Sequence, residues 1–246
     1  MIHSVNITNF MAISSLENKE ISPITILIGK NDTCKTAVLK LLYSVVKSLE
    51  IYSIQNEKED TETLTQTIRN KIISVFSPND NKIYSLINNN TDKCSITLEV
   101  EDIKQNKYRQ SIVFHDVFNS STNLHIESNV HYVPKNTLNS IFIPAKEVLT
   151  AFNDIQIMRE QFFGKGFDDT YLDLINMLKI PTRLEGIDSS FLSITDDLSA
   201  LLQGEIVQTT EAKDFFVFRR KGIKHDIRQT AEGIKKIGVL DTLIRN

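Results

Sequence analysis

The feature that most constrains this chain is a short apolar segment, residues 24–28, followed by a polar loop and then a long apolar-faced helical pattern. The segment follows Pro23, and β-branched residues bounded by turn residues are typical of a buried central strand. Residues 35–49 place their apolar side chains at helical spacing over a wide face. The sequence therefore predicts a strand–loop–helix unit against which the other elements pack.

The loop of this unit fits the template G-x-x-x-x-G-K-[ST] except that Cys34 stands where the second glycine belongs. Loops of this type direct backbone N–H groups at phosphate, and the following helix adds the positive end of its dipole. We therefore predict a nucleotide site that binds ATP and Mg²⁺. The predicted nucleotide contacts are Gly29, Lys30, Asn31, Asp32, Thr33, Cys34, Lys35 and Thr36.

Two side chains of the loop have specific predicted roles. Lys35 is expected to reach the β- and γ-phosphates, and the Thr36 hydroxyl is expected to bind the Mg²⁺ ion. Cys34 is expected to weaken phosphate binding or to make the loop sensitive to thiol oxidation, because glycine allows the closest approach of backbone to phosphate.

The remaining pattern predicts strands mainly before residue 147 and helices mainly after it. Strands are expected at residues 2–10 (an edge strand), 95–100, 108–114, 124–126, 131–133 and 140–144. Helices are expected over 147–202 with a break at Pro181, then a hairpin of 205–207 with 214–219, and a closing helix from about Thr230. We divide the chain into an ATP-binding lobe, residues 1–146, and a mainly helical lobe, residues 147–246.

Composition limits the setting. No apolar run approaches the length of a membrane helix, no secretory signal is recognisable, and Cys34 lies inside the loop, so a reducing cytoplasm is the predicted location. The net charge is -3, which argues against a dedicated nucleic-acid module, although nucleic-acid contact stays possible. The one basic cluster, residues 219–228, could contact nucleic acid or a partner's phosphates, or it could be a solvated face.

Residues 7–10, a short spacer, residues 23–29 and Asn31-Asp32 resemble the start of ABC-type ATPases of the RecF/SMC/OLD group, although Met11 replaces the usual basic residue. The resemblance implies an α/β P-loop NTPase of the ABC/SMC-head type. Such a head has a mixed sheet around the P-loop helix, an antiparallel β subdomain and a helical lobe.

A second resemblance lies near residue 230. Thr230, Glu232 and Gly233 match the signature segment of the same group, with Ala231 at the usual serine position. The resemblance implies that these residues contact, in trans, the γ-phosphate of ATP bound to a partner head. The alternative is a plain amphipathic helix.

Residues 141–147 resemble the strand and loop that carry a glutamine in many relatives, and here Glu147 is the candidate for a Mg²⁺ or water contact. Glu147 is equally compatible with an ordinary acid at a helix start. The group's Walker B strand, an apolar run ending in Asp-Glu, is not recognisable in the sequence, and the expectation is that the chain is truncated before it.

Three functions remain open at this point. The first is an ATP-hydrolysing switch that works as a homodimer or higher oligomer and controls a nuclease or other effector, a setting that includes antiphage defence. The second is a nucleotide-binding scaffold with little hydrolysis that holds an effector or toxin. The third is a DNA-repair ATPase resembling RecF.

Overall fold

The computed structural model describes residues 1–55, 60–78, 83–102, 104–115, 124–125, 138–162, 166–181, 189–209 and 215–245. The chain divides into two compact units, residues 1–141 and residues 142–246. The sequence-based division after residue 146 lies near this boundary and stays a prediction about domains.

The first unit combines one sheet with two helices. Its strands are β1 (Ile2–Phe10), β2 (Ile13–Glu20), β3 (Lys93–Glu101), β4 (Lys107–His115) and β5 (Leu124–His125), and its helices are α1 (Lys35–Gln55) and α2 (Thr61–Phe76). The strand order is β2-β1-β3-β4-β5, and each neighbouring pair is antiparallel. The predicted strands at 95–100 and 108–114 are confirmed as β3 and β4, and residues 131–133 lie outside the described residues.

The sheet buries alternate side chains on the face that shares a core with α1. Val5 and Ile7 of β1 and Ile96 and Leu98 of β3 are almost fully buried there, as the twofold repeat of a strand requires. Helix α1 is buried over the consecutive residues 41–46, so its packing is not limited to one stripe. Such a helix is held mainly by tertiary contacts rather than by its own propensity.

Two strand predictions for this unit were wrong. Strand β1 is not an edge strand, because it pairs with both β2 and β3. Residues 24–28 lie outside any strand, and Ile24, Ile26 and Ile28 are 86%, 78% and 88% exposed. A central strand needs backbone partners on both edges, and none of the strands in the described ranges pairs with residues 24–28.

The sheet that shares the core of the P-loop helix also differs from the prediction. A mixed sheet was expected there, whereas all strand pairs in the described part of the chain are antiparallel. The second short apolar strand candidate, residues 140–144, is not a strand either, and Ile141 and Ile143 are 39% and 46% exposed. The described strands of the first unit therefore form an antiparallel sheet, and the ABC/SMC-head architecture stays a prediction.

The second unit is mainly helical, as predicted. Its helices are α3 (Phe152–Phe162), α4 (Asp169–Leu178), α5 (Ser189–Leu202) and α6 (Glu232–Arg245), and a small antiparallel sheet is formed by β6 (Glu205–Gln208), β7 (Phe216–Arg220) and β8 (Ile223–Asp226). The hairpin and the closing helix of the prediction are confirmed as β6–β7 and α6. Strand β8 was not foreseen.

Close contacts between aromatic rings and between backbones hold this unit together. Phe152 stacks on Phe215 with 4.6 Å between ring centroids and meets Phe216 edge-on at 5.1 Å. Helix α6 approaches β6 at Gly238, where an added Cβ would lie 2.3 Å from Cγ1 of Ile206. Helix α6 therefore has its own fixed contact with the small sheet.

The exposure of residues 24–28 gives a test of the core assignment. Ile96→Ala removes a fully buried side chain and is expected to lower the free energy of unfolding by about 2–5 kcal/mol. Ile28→Ala removes the same atoms from a position that is 88% exposed and is expected to change it by less than about 0.5 kcal/mol. Denaturant unfolding of both variants measures the difference, and equal losses would contradict the described core.

Candidate nucleotide-binding site

The predicted phosphate loop leads directly into the most deeply buried helix of the first unit. Helix α1 begins at Lys35, immediately after loop residues 29–34, as the sequence predicts. Loop residues 29–33 are exposed, while the following helix is buried from Val38 onward on most sides. A fixed helix N-terminus next to an exposed loop is the geometry that backbone recognition of phosphate needs.

The Lys35 ammonium closes this loop. Its Nζ donates hydrogen bonds to the carbonyl oxygens of Gly29, at 2.9 Å, and Lys30, at 2.5 Å, and to Thr33 Oγ1 at 3.2 Å. All three acceptors are neutral and belong to the loop itself. Phosphate oxygens are stronger acceptors for an ammonium group than neutral carbonyls, because the opposite charges of the two groups also attract each other. Lys35 is therefore placed where it could exchange loop carbonyls for phosphate.

Thr33 and Gly29 set the curvature of the loop. The Thr33 hydroxyl donates to the Lys30 carbonyl at 2.9 Å. A Cβ added at Gly29 would lie 3.1 Å from Thr33 Oγ1, so a side chain at this position would require a small shift of Thr33. The loop holds its tight turn through contacts among its own residues.

Two loop residues that are not glycine adopt the left-handed conformation. Asp32 has φ 64° and Cys34 has φ 57°. A residue with a Cβ pays roughly 1–2 kcal/mol in this region, and aspartate tolerates it better than most residues because its short polar side chain can bond locally. The backbone strain at Cys34 is a second reason why the motif has glycine at this position. The first is that glycine lets the backbone approach phosphate closely. The template did not reveal the left-handed backbone at Asp32.

Thr36 lies in the first turn of α1 and is exposed. No group of three or more His, Cys, Asp or Glu side chains suited to a metal ion is found in the ranges that the structure describes. A Mg²⁺ ion bound with a nucleotide usually has one or two carboxylate ligands besides phosphate oxygens and water, so the Thr36 hydroxyl would be one ligand among several. The predicted metal role of Thr36 stays a prediction.

The predicted signature residues lie at the start of α6. The residue before the helix is Ala231, whose side chain has no oxygen to cap the N-terminus, and its carbonyl accepts from Ile234 N at 3.0 Å and Lys235 N at 3.3 Å. Gly233 is exposed, and a Cβ added there would meet no atom within 4 Å. The first turn of α6 thus has open space in front of Gly233.

The other two signature candidates have partners inside the second unit. The Thr230 hydroxyl donates to the Ile227 carbonyl at 2.7 Å, so it already has an acceptor. Glu232 is mostly exposed and accepts from the Nζ of the buried Lys235 at 2.9 Å. Both roles in trans stay predictions, and Gly233 is the candidate that the local geometry leaves most open.

Glu147, the weak catalytic candidate, is engaged in a turn. One carboxylate oxygen accepts from Thr150 N at 3.0 Å, the Thr150 hydroxyl donates to the same oxygen, and Leu149 N donates to the other oxygen. These contacts satisfy the backbone just before α3. Glu147 therefore has a structural role in this turn, but it is not at a helix start, because α3 begins only at Phe152. Its catalytic role stays a prediction.

Met11, at the position where the resembling proteins carry a basic residue, lies in the turn between β1 and β2. It has φ 50° and is 36% exposed, and its N–H donates to the Leu86 carbonyl at 2.8 Å. The residue therefore has a structural role in the turn.

The model of the AAA ATPase domain matches residues 1–238, which include the whole loop and the start of α6. The chain belongs to the AAA ATPase domain family. A comparison with curated proteins gave no match.

As an AAA ATPase domain, the chain has the α/β fold of P-loop NTPases and a general ATP-binding and ATP-hydrolysing function. This family usually binds nucleotide together with Mg²⁺. None of the helices in the described ranges is long and apolar enough to cross a membrane.

The left-handed backbone at Cys34 generates a prediction for this ATPase domain. Cys34→Gly is expected to bind ATP several-fold more tightly, because glycine adopts φ 57° freely and lets the backbone approach phosphate. Cys34→Ala keeps the Cβ and is expected to match the parent chain. Titration calorimetry with ATP·Mg²⁺ measures both, and equal tightening by alanine and glycine would show that the thiol, not the backbone, sets the affinity.

The two glycines of α6 form a matched pair. Gly238→Ala is expected to lower the free energy of unfolding of the second unit by about 1–3 kcal/mol, because the new methyl overlaps Ile206. Gly233→Ala is expected to cause no loss, since the space around it is open. Chemical denaturation of both variants checks this, and a comparable loss at Gly233 would mean that the start of α6 is not open.

Proposed function

We propose that this ATPase domain is an ATP-dependent switch of the ABC/SMC/OLD type, in which two heads associate through bound nucleotide. The loop of residues 29–36 holds ATP·Mg²⁺ in one head, and the start of α6 in the other head closes over the γ-phosphate. Loss of the γ-phosphate by hydrolysis then weakens the contact between the heads.

The observation that carries this proposal is the uncapped start of α6. Ile234 N donates to the Ala231 carbonyl at 3.0 Å, while Glu232 and Gly233, which precede it in the first turn, are exposed. A helix N-terminus presents backbone N–H groups and a positive partial charge, so it suits a phosphate. A glycine in the first turn permits close approach of a second molecule. The sequence resemblance of Thr230, Glu232 and Gly233 to a signature segment supports the same role.

A second observation concerns the segment before the loop. Residues 24–28 have strand-type composition, yet Ile24, Ile26 and Ile28 are all more than three-quarters exposed. Apolar surface of this kind often marks a site of contact with another molecule. In the proposed switch this segment is therefore a contact surface.

The output of the switch is proposed from the resemblance alone. A nuclease or another effector responds to the closed heads, in the cytoplasm, and antiphage defence is one setting for such a pair. The charges and contacts of the described residues support the proposed binding of nucleotide, and they do not identify the effector.

A second candidate function is a scaffold that binds nucleotide and hydrolyses little of it. The observation that favours it is the strained Cys34, with φ 57° at a position where glycine would be free of cost. In this function bound ATP holds an oligomer together and a slow turnover preserves it. The two candidates differ in turnover, while both require ATP binding at Lys35.

The in-trans arrangement is tested by complementation. Lys35→Ala removes the phosphate contact from one head, and Gly233→Glu places a carboxylate where the γ-phosphate is proposed to dock. Each variant alone is expected to stay monomeric with a slowly hydrolysed ATP analogue and Mg²⁺, whereas the parent chain dimerises. A mixture of the two variants is expected to recover dimers, because one Lys35 loop and one Gly233 helix then meet intact. Sedimentation velocity measures the species.

Several outcomes would contradict the proposal. Dimers of either variant alone, or a mixture that stays monomeric while the parent chain dimerises, would exclude a composite site. Nucleotide binding without any association of the parent chain would also exclude the proposed head-to-head switch. Dimerisation of the parent chain with turnover no higher than that of Lys35→Ala would favour the scaffold.

A further inference from the structure

A basic hairpin lies just before α6 and takes no part in the proposed nucleotide site. Strands β7 and β8 are joined by Lys221 and Gly222, and residues 219–225 are all exposed. Between residues 219 and 228 the sequence contains five lysine or arginine residues and one acidic residue, Asp226. The whole chain has a net charge of -3, so positive charge is concentrated here against the general balance.

The strand register places the cations on both faces of this hairpin. Arg219 lies opposite Lys224 and also opposite Glu205 of β6, so these three share one face. Arg220 lies opposite Ile223, one position further along, and therefore on the other face. The pairing of β7 with β6 ends at Arg219, which lies opposite Glu205. The Arg220–Ile223 pair lies one position beyond this end. The tip thus projects past the small sheet and presents positive charge in two directions.

The contacts of the three arginines differ. Arg220 donates to the neutral side-chain amide of Gln203, which does not cancel its charge. Arg219 pairs with Glu205 at 2.7 Å, and Arg228 pairs with Asp226 at 2.9 Å. Asp226 is the one acid of the hairpin, and its pKa is lowered by hydrogen bonds from Arg228, so it stays ionised. The five cations of residues 219–228 therefore exceed the two carboxylates that pair with Arg219 and Arg228.

The turn at the tip of the hairpin has a strained backbone at a lysine, and a binding role for the lysine charge would explain why a lysine is found there. Lys221 has φ 50° and Gly222 has φ 79°, the two left-handed residues of a type I′ turn. Asn, Asp or Gly is preferred at the first of these positions, and a lysine there costs roughly 1 kcal/mol. Ile223, next to the turn, is 62% exposed. A strained cation and an exposed apolar side chain at the same tip point to a binding role.

We propose that the β7–β8 hairpin tip binds the phosphate backbone of duplex nucleic acid, with Arg220, Lys221 and Lys224 contacting phosphates and Ile223 contacting the groove between them. Interfaces with proteins are depleted in lysine, whereas those with nucleic acid are rich in lysine and arginine. Cations on two faces of one hairpin match a groove, which has a phosphate backbone on either side. The inference does not depend on the proposed nucleotide switch, because the hairpin binds without ATP.

The test compares two hairpin tips of the same chain. Lys221→Glu with Lys224→Glu reverses two charges at the proposed tip, and Lys104→Glu with Lys107→Glu reverses two exposed charges at the β3–β4 turn. Fluorescence anisotropy with a labelled duplex of about 20 base pairs, without nucleotide, is measured over a series of salt concentrations. The first double variant is expected to bind at least about tenfold more weakly and to lower the salt slope by about two, since each phosphate contact contributes about 0.9. The second is expected to stay within about twofold of the parent chain.

A third variant separates apolar contact from charge. Ile223→Ser is expected to weaken binding with an unchanged salt slope, because it removes no ion contact. Thermal melts confirm that each variant is folded. The proposal is overturned if the parent chain does not bind duplex at about 50 mM salt, or if both double variants weaken binding equally. It is also overturned if the hairpin binds polyglutamate in preference to duplex, which would make it a site for an acidic protein.

Discussion

The burial of α1 fixes the phosphate loop, because the helix begins at Lys35 and that residue also closes the loop. From residue 41 to residue 46 every side chain of the helix is buried, with the sheet and α2 contributing to the same core. The buried serines satisfy their hydroxyl groups within the helix: the Ser44 hydroxyl donates to the Lys40 carbonyl at 2.7 Å, and the Ser48 hydroxyl donates to the Ser44 carbonyl at 2.6 Å. A helix held in this way cannot shift along its axis without disrupting the core, so its N-terminus is a stable position for phosphate.

The loop that precedes this helix combines binding capacity with strain. Lys35 holds the carbonyls of Gly29 and Lys30, and Thr33 crosses to Lys30, so the turn is closed by hydrogen bonds. These contacts are opposed by the conformational free energy of Asp32 and Cys34, which have side chains and adopt the left-handed backbone conformation. The balance favours a loop that forms but binds phosphate less tightly than a loop with glycine at both positions. Weaker phosphate binding of this kind is compatible both with a slow ATPase and with a nucleotide-binding scaffold, so both functions are proposed.

The sequence predicted the elements whose pattern is local. The helix after the loop, strands β3 and β4, the β6–β7 hairpin and α6 all follow from periodicity and turn residues, and the family match supports the ATP-binding prediction. Strand β2 was missed because its residues are mostly polar, and its pairing with β1 comes from the turn at Met11.

Residues 24–28 show the opposite error. Their composition favours a strand, but a strand forms only where a partner supplies backbone hydrogen bonds, and pattern alone does not identify the partner. At the site, the template predicts roles for Lys35 and Thr36 that stay predictions. The left-handed backbone of Asp32 and Cys34 could be seen only in the three-dimensional loop.

The central claim is that Lys35 makes this loop an ATP site, and a comparison of two lysines of the loop tests it most directly. Calorimetric titration of the full chain with ATP·Mg²⁺ is repeated with Lys35→Ala and with Lys30→Ala. Each variant removes one positive charge from the segment of residues 29–36. Lys35→Ala is expected to weaken binding by at least about tenfold, since hydrogen bonds between charged groups contribute about 1.5–3 kcal/mol. Lys30 contributes its backbone carbonyl to the loop, so Lys30→Ala is expected to stay within about threefold of the parent chain. Equal losses in the two variants, or no loss in Lys35→Ala, would contradict the account.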